Sequence, residues 1–177
     1  MVSTRVGYAG GRKKDPTYHA IGDHAETIQI DFDPSVISYG ELLDLFWRSH
    51  DPTRKPWSRQ YMSAVFVHDE EQRRQVEDTA RAVAENRGRP VETEILPFND
   101  FTLAEDYHQK YQLRRLSKVE RELEAIYPDL DDFVRSTAAT RINALVGGSG
   151  TTEELEQIAA ELGLSAEALD ELRRAVR

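Results

Sequence analysis

Glu26, Tyr18 and Tyr61 are side chains of types that can exchange or share a proton. Glu26 closes the run Gly22-Asp23-His24-Ala25-Glu26, Tyr18 closes Pro16-Thr17-Tyr18, and Tyr61 lies in Arg59-Gln60-Tyr61-Met62-Ser63. A carboxyl group can act as a general acid or base, and a phenolic hydroxyl can donate a hydrogen bond. Taken alone, each has an ordinary reading. Glu26 stands at the polar-facing register of a strand, where a solvated carboxylate is the usual outcome, and the tyrosines read as half-buried. His19 and His24, with Asp23 between them, match no metal-ligand spacing, so no metal is expected. His50 and His108, at the ends of segments, read as structural hydrogen-bonding residues. Gly10-Gly11 lacks the Lys-Ser/Thr of a phosphate loop and reads as a turn. The cysteine count is zero, which excludes disulfides, zinc–thiolate sites, iron–sulfur clusters and thiol chemistry by this chain alone.

The elements that must position these residues follow from periodicity. Residues 2–8 predict a strand ending in a glycine turn, and Pro16 helps keep the following loop out of a helix. Residues 24–32 alternate, with Ile28, Ile30 and Phe32 expected on the buried face and Thr27, Gln29 and Asp31 opposite. Ser38 and Glu41 form a capping box for a helix running to about Ser49, stopped by His50-Asp51-Pro52. A strand over 60–67, an amphipathic helix over 69–87 with Val76, Ala80 and Val83 inward, and a strand over 91–96 follow. Beyond residue 115 the chain reads as wholly helical, over 117–126, 129–146, 152–162 and from Ser165 to the end, with a glycine break at 147–150.

Composition bounds the class. The 177 residues carry a net charge of -9, with 39% hydrophobic and 31% charged residues. Residues 116–177, with 13 acids against 7 bases, hold -6 of that charge. An acidic chain argues against a nucleic-acid binder. No apolar run is long enough to span a membrane, and the first residues lack a secretory h-region, so a cytoplasmic protein is expected.

The blocks Arg5-Val6-Gly7-Tyr8-Ala9-Gly10-Gly11, Pro16-Thr17-Tyr18, Gly22-Asp23-His24-Ala25-Glu26, Phe32-Asp33-Pro34, His50-Asp51-Pro52-Thr53, Arg59 to Ala64 and Ala104 to Tyr111 occur in an order and spacing that closely resemble the methionine sulfoxide reductase A family. The resemblance covers about residues 2–115, and the tail resembles the helical extension of one subgroup. It implies reduction of methionine-S-sulfoxide, free or in proteins, as a repair of oxidative damage. It implies no bound cofactor, and reductant supplied by thioredoxin or another thiol. Position by position, it makes Glu26 the proton-donating acid and Tyr18 and Tyr61 the oxygen-binding hydroxyls. It further implies an α+β, ferredoxin-like sandwich over residues 1–115, with residues 116–177 as an all-helical extension.

The sequence departs from the family in two places. The Gly-x-Asp segment before the second tyrosine is replaced by Pro52-Thr53-Arg54-Lys55-Pro56-Trp57-Ser58-Arg59, which has no acid; Asp51, nearby, matches another family position. The Gly-Cys-Phe-Trp motif that supplies the nucleophile and an aromatic pair is absent. With it go the sandwich's first helix and its first strand, the strand being the one that would lie between those at 60–67 and 24–32. A start misassigned at an internal valine codon, a shortened relative completed by a second copy or a strand-donating partner, and a trimmed chain each account for the gap. As written, the chain is expected to be inactive as a reductase; the alternative is a non-catalytic module that binds methionine sulfoxide or a protein partner. The stretch Ile158 to Ser165 superficially matches a helix-turn-helix, but acids at the start of its second helix would face phosphates. Low-salt filter binding should therefore detect no tight duplex binding; tight binding would contradict this reading.

Overall fold

The computed structural model describes residues 2–176. The chain is a mixture of helices and small sheets, as the α+β expectation required. It divides into two compact units: residues 6–28 with 32–104, and residues 2–5, 29–31 and 105–176.

The strands β1 (Ser3–Ala9), β2 (Ala25–Asp31) and β5 (Phe101–Leu103) form one sheet in the order β2-β1-β5, and β3 (Ala64–Val67) and β4 (Glu94–Pro97), both in the first unit, form a separate parallel pair. β5 was not anticipated: three residues carry too little alternation to read as a strand. It pairs antiparallel with β1, Gly7 opposite Leu103. Gly7 makes this possible, because a Cβ there would overlap the carbonyl of Thr102 and the ring of Phe101. The helix α1 (Tyr39–Ser49) starts at the expected Ser38–Glu41 capping box. The helix α2 (Glu70–Arg87) is capped by Asp69, whose carboxylate accepts the Gln72 N–H at 2.8 Å, and ends at Gly88 with φ of 62°. Leu43 and Trp47 of α1 and Val76 and Ala80 of α2 meet Val67 of β3 in this unit's core. The buried Trp47 indole donates to Thr79 Oγ1 at 3.0 Å, which satisfies its N–H.

Two strand expectations need correction. Ile28 is 57% exposed and Ile30 and Phe32 are half-buried, because among the described residues no layer covers that face of β2. The segment 60–63 is turn rather than strand, closed by the Met62 N–H on the Arg59 carbonyl at 3.2 Å, so that β3 begins only at Ala64.

The second unit is helical: α3 (Ser117–Ile126), α4 (Leu130–Arg135), α5 (Thr137–Ala144), α6 (Thr152–Ile158) and α7 (Ala166–Ala175). The expected helix over 129–146 is broken at Ser136, which adopts extended backbone (ψ 135°) and turns its hydroxyl to the Ala139 N–H as an N-cap. The glycine break is an ordered wide turn, Leu145–Ser149, with Gly148 at φ 84°. Leu155, Leu162, Ala168 and Leu172 are buried in one core with Leu113, Leu123, Phe133 and Ile142, so the helix-turn-helix-like residues serve packing. Helices α3 and α7 cap each other. Glu171 of α7 accepts the Lys118 and Val119 N–H groups, and Glu122 of α3 accepts the N–H and hydroxyl of Ser165.

Lys110 is buried in this unit at φ of 53°. Its ammonium donates to the Thr4 carbonyl at 2.6 Å and to Thr140 Oγ1 at 2.7 Å. Burial, with a smaller contribution from the Arg5 charge, pulls its pKa down to about 8. The unfolded chain therefore binds a proton that the native chain lacks between about pH 8 and 10.5. The cost of burying the charge is complete below pH 8 and is relieved as pH rises through that window. Urea unfolding between pH 8 and 9.5 should show wild-type stability gaining relative to Lys110→Met by up to about 1.4 kcal/mol per pH unit; parallel pH profiles would contradict this.

Candidate functional site

The site is built outward from His24. Its imidazole, only 1% exposed, sits between the end of β1 and the loop that follows. Nδ1 accepts the Gly11 N–H at 3.2 Å, and Nε2 donates to the Lys13 carbonyl at 2.8 Å. An N–H facing one nitrogen and a carbonyl facing the other require a neutral ring protonated at Nε2. Gly11 is needed here because a Cβ would overlap the imidazole. Asp23 accepts the Arg12 and Lys13 N–H groups at 2.9 and 3.1 Å, and these bonds hold its carboxyl below the usual range. The histidines and aspartate of this loop are thus not gathered as a metal site; among the described residues no group of three or more acidic or histidine side chains is placed to hold a metal.

Between these anchors the loop carries Tyr18 on a tight turn closed by the reciprocal Thr17–Ala20 backbone bonds. Two residues beyond His24, β2 presents Glu26. Strand parity places Glu26 on the exposed face shared with Ile28, not on the Thr27–Gln29–Asp31 face assigned to it from sequence. Its N–H donates to the Gln60 carbonyl at 3.0 Å, which brings the 59–63 turn alongside β2. Arg59 fixes that turn from the other side, donating to the Asp23 and Gly10 carbonyls and pairing with Glu94 at 3.3 Å.

The three expected residues are brought together through Gln60. Its side-chain amide donates to Glu26 Oε1 at 2.7 Å and to the Tyr61 hydroxyl at 3.2 Å, and Tyr61 is hydrogen-bonded to Tyr18. Both tyrosines remain reachable, at 39% and 42% exposure. Loss of hydration, then the Glu26 carboxylate, then Tyr18 raise the Tyr61 pKa above its ordinary value, so its hydroxyl keeps its proton at neutral pH. The arrangement sets a carboxyl group and two phenols side by side at an accessible surface. The roles of Gln60 and His24 follow from partners distant in sequence, side chains for Gln60 and backbone groups for His24, which no local motif specifies. Asp51 stands apart, its Oδ1 accepting the N–H and hydroxyl of Thr53 in a local turn. His50 bonds the Phe46 carbonyl and Ser63, a structural role.

A family model described as peptide methionine sulfoxide reductase matches residues 1–141. A peptide methionine sulfoxide reductase of Drosophila melanogaster is 40% identical over 168 residues, covering 93% of this chain and 67% of its own length, so this match extends into the helical tail. A Methanococcoides burtonii relative of the same description is 46% identical over 123 residues, covering 63% of this chain and 80% of its own. In a Methanosarcina mazei relative, 41% identical over 122 residues, the covered share is 58% of its own length. Among solved structures, reduced Mxr1 from Saccharomyces cerevisiae matches with a TM-score of 0.59 and 30% identity over 65% of this chain and 71% of that one.

If Glu26 is a cause of the Tyr61 shift, Glu26→Gln should bring the Tyr61 pKa back towards 10 without fully restoring it, since burial is the larger cause. NMR titration of the tyrosine ring carbon, assigned with Tyr61→Phe, reads this; an unchanged value would contradict the geometry.

Proposed function

Because this chain belongs to the peptide methionine sulfoxide reductase family, we propose that Glu26, Tyr18 and Tyr61 form the oxygen-recognising part of a methionine-S-sulfoxide site. The observation that carries this reading is the run of contacts in which Gln60 joins Glu26 to Tyr61 and Tyr61 meets Tyr18. A sulfoxide oxygen leaves sulfur readily only when it is protonated as the sulfur is attacked. In the proposed arrangement the tyrosine hydroxyls donate to that oxygen and the Glu26 carboxyl gives it a proton.

The remaining half of the reaction is reduction by a thiolate. The thiolate attacks sulfur and forms an S–S bond as the protonated oxygen departs as water; water then attacks the thiol-derived sulfur, the S–S bond breaks to release methionine, and the thiol is left as a sulfenic acid that a second thiol reduces with formation of a disulfide and water. No cysteine is present in the 177 residues, so in this proposal the thiolate comes from outside them, and thioredoxin or another thiol reductant serves that group. A second reading rests on the same absence: a site that binds methionine sulfoxide without turning it over. A second copy or another protein supplying the thiolate strand fits the first reading; a sulfoxide-binding module fits the second.

Calorimetry should show the 177-residue chain binding an N-acetylated methionine-(S)-sulfoxide amide in preference to the R epimer. Tyr18→Phe and Tyr61→Phe should each weaken it about tenfold, the equivalent of roughly 1.4 kcal/mol. Dithiothreitol alone should give no turnover, and adding a preceding Gly-Cys-Phe-Trp segment should produce it. Binding that never leads to turnover, even with that segment, favours the module. Absence of binding overturns the site.

A further inference from the structure

A cavity of about 440 Å³ opens within the helical unit, between the short turn Leu113–Arg115, the wide turn Leu145–Ser149 and the end of α7. Its size is that of a small-molecule site. Leu116, Leu145, Val146 and Ala175 give it apolar walls. Leu145 is buried in the core of this unit, and Leu116 and Val146 pack against that core, so the walls are firmly backed. The side of the cavity formed by the wide turn carries glycine. Gly148 needs its φ of 84°, and a Cβ on it would meet nothing within 4 Å. Gly147 has no such backbone demand, and a Cβ there would meet Gln112 Cγ at an ordinary 3.6 Å. The fold would accept a side chain at Gly147, and its absence leaves the cavity open.

The charge of this cavity runs against its surroundings. Residues 116–177 hold 13 acids against 7 bases, yet the two charged side chains that line the cavity are both arginines, Arg115 and Arg174. Neither is strongly engaged. Among the described residues Arg115 makes no ion pair, and its guanidinium donates to Gln112 Oε1 at 3.2 Å. Arg174 meets Asp170 at 3.2 Å, one turn back on α7, in an exposed pair that holds it weakly. A guanidinium presents a planar fork of N–H donors that matches the two oxygens of a carboxylate. Two such forks beside apolar walls suit an anion with an apolar body.

We propose that this cavity binds a small amphiphilic carboxylate. Its oxygens are held by Arg115 and Arg174, and its alkyl chain lies on Leu116, Leu145, Val146 and Ala175. The site does not depend on the sulfoxide reading, because every residue that forms it belongs to the helical unit. The ligand touches three segments far apart in sequence, which only the folded chain brings together. Binding therefore favours the folded helical unit and raises its stability with ligand concentration.

The test titrates the intact 177-residue chain with octanoate, kept below its micellar concentration, and follows heat, Tm and backbone amide NMR. Octanoate should bind saturably, raise Tm, and shift the amides of Leu116 and of residues 145–148. Octanol, with the same chain and no charge, should bind at least about fivefold more weakly, and octanoate should lose as much in Arg115→Gln and in Arg174→Gln. Both arginines are exposed, so both variants should keep the wild-type Tm without ligand. Arg121→Gln, exposed on α3 and outside the cavity, removes the same charge and should bind octanoate like wild type. Absence of saturable binding overturns the proposal, as does octanol binding as tightly as octanoate. An equal loss in Arg121→Gln marks general charge attraction and overturns it too. Amide shifts confined to residues 6–104 place the ligand elsewhere and also overturn it.

Discussion

Everything at the site hangs on the ring of His24. One nitrogen takes the Gly11 N–H and the other gives its hydrogen to the Lys13 carbonyl, so the imidazole joins the end of β1 to the loop that leaves it. Loop, ring and β2 then become one piece. Tyr18 rides on that loop, Glu26 follows two residues after His24, and the Asp23 carbonyl anchors Arg59, which in turn fixes Gln60 and Tyr61. A neutral, oriented imidazole buried against a glycine is thus the constraint that lets distant segments of the sequence meet within hydrogen-bond reach.

The two units draw their stability from different sources. In the α/β unit, α1 and α2 cover the β3–β4 pair with a modest set of buried residues, and one face of β2 stays open at Ile28. The open face is also where Glu26 stands. In the helical unit Leu113, Leu123, Phe133, Leu155 and Leu172 close a continuous core, and Glu122 and Glu171 satisfy the helix starts from across the packing. The acidic charge of the tail is thus partly consumed in capping.

Much of this was legible from the residues. Capping boxes at Ser38 and Thr151 mark helices because the side chains that satisfy the first N–H groups are local. The blocks around Tyr18, Glu26 and Tyr61 named the cluster by resemblance, which no periodicity could have done. What was not legible depends on long-range contact. The strand β5 exists because Gly7 lets Phe101 approach. The break at Ser136 exists because its hydroxyl prefers the Ala139 N–H to continuing a helix. Ile28 looked like a core residue because alternation tells which side chains share a face, but not whether anything covers it. Gln60 and His24 act through backbone and side-chain partners 34 and 13 residues away, beyond any local pattern.

The central claim is that Glu26, Tyr18 and Tyr61 act on one oxygen atom. Carbon NMR of the glutamate carboxyl and tyrosine ring carbons, recorded as the S and then the R epimer of a methionine sulfoxide amide is added, tests it most directly. The S epimer should shift the Glu26, Tyr18 and Tyr61 signals together, along one saturation curve, with the R epimer far weaker. Signals that stay still, or that move independently and equally with both epimers, would contradict it.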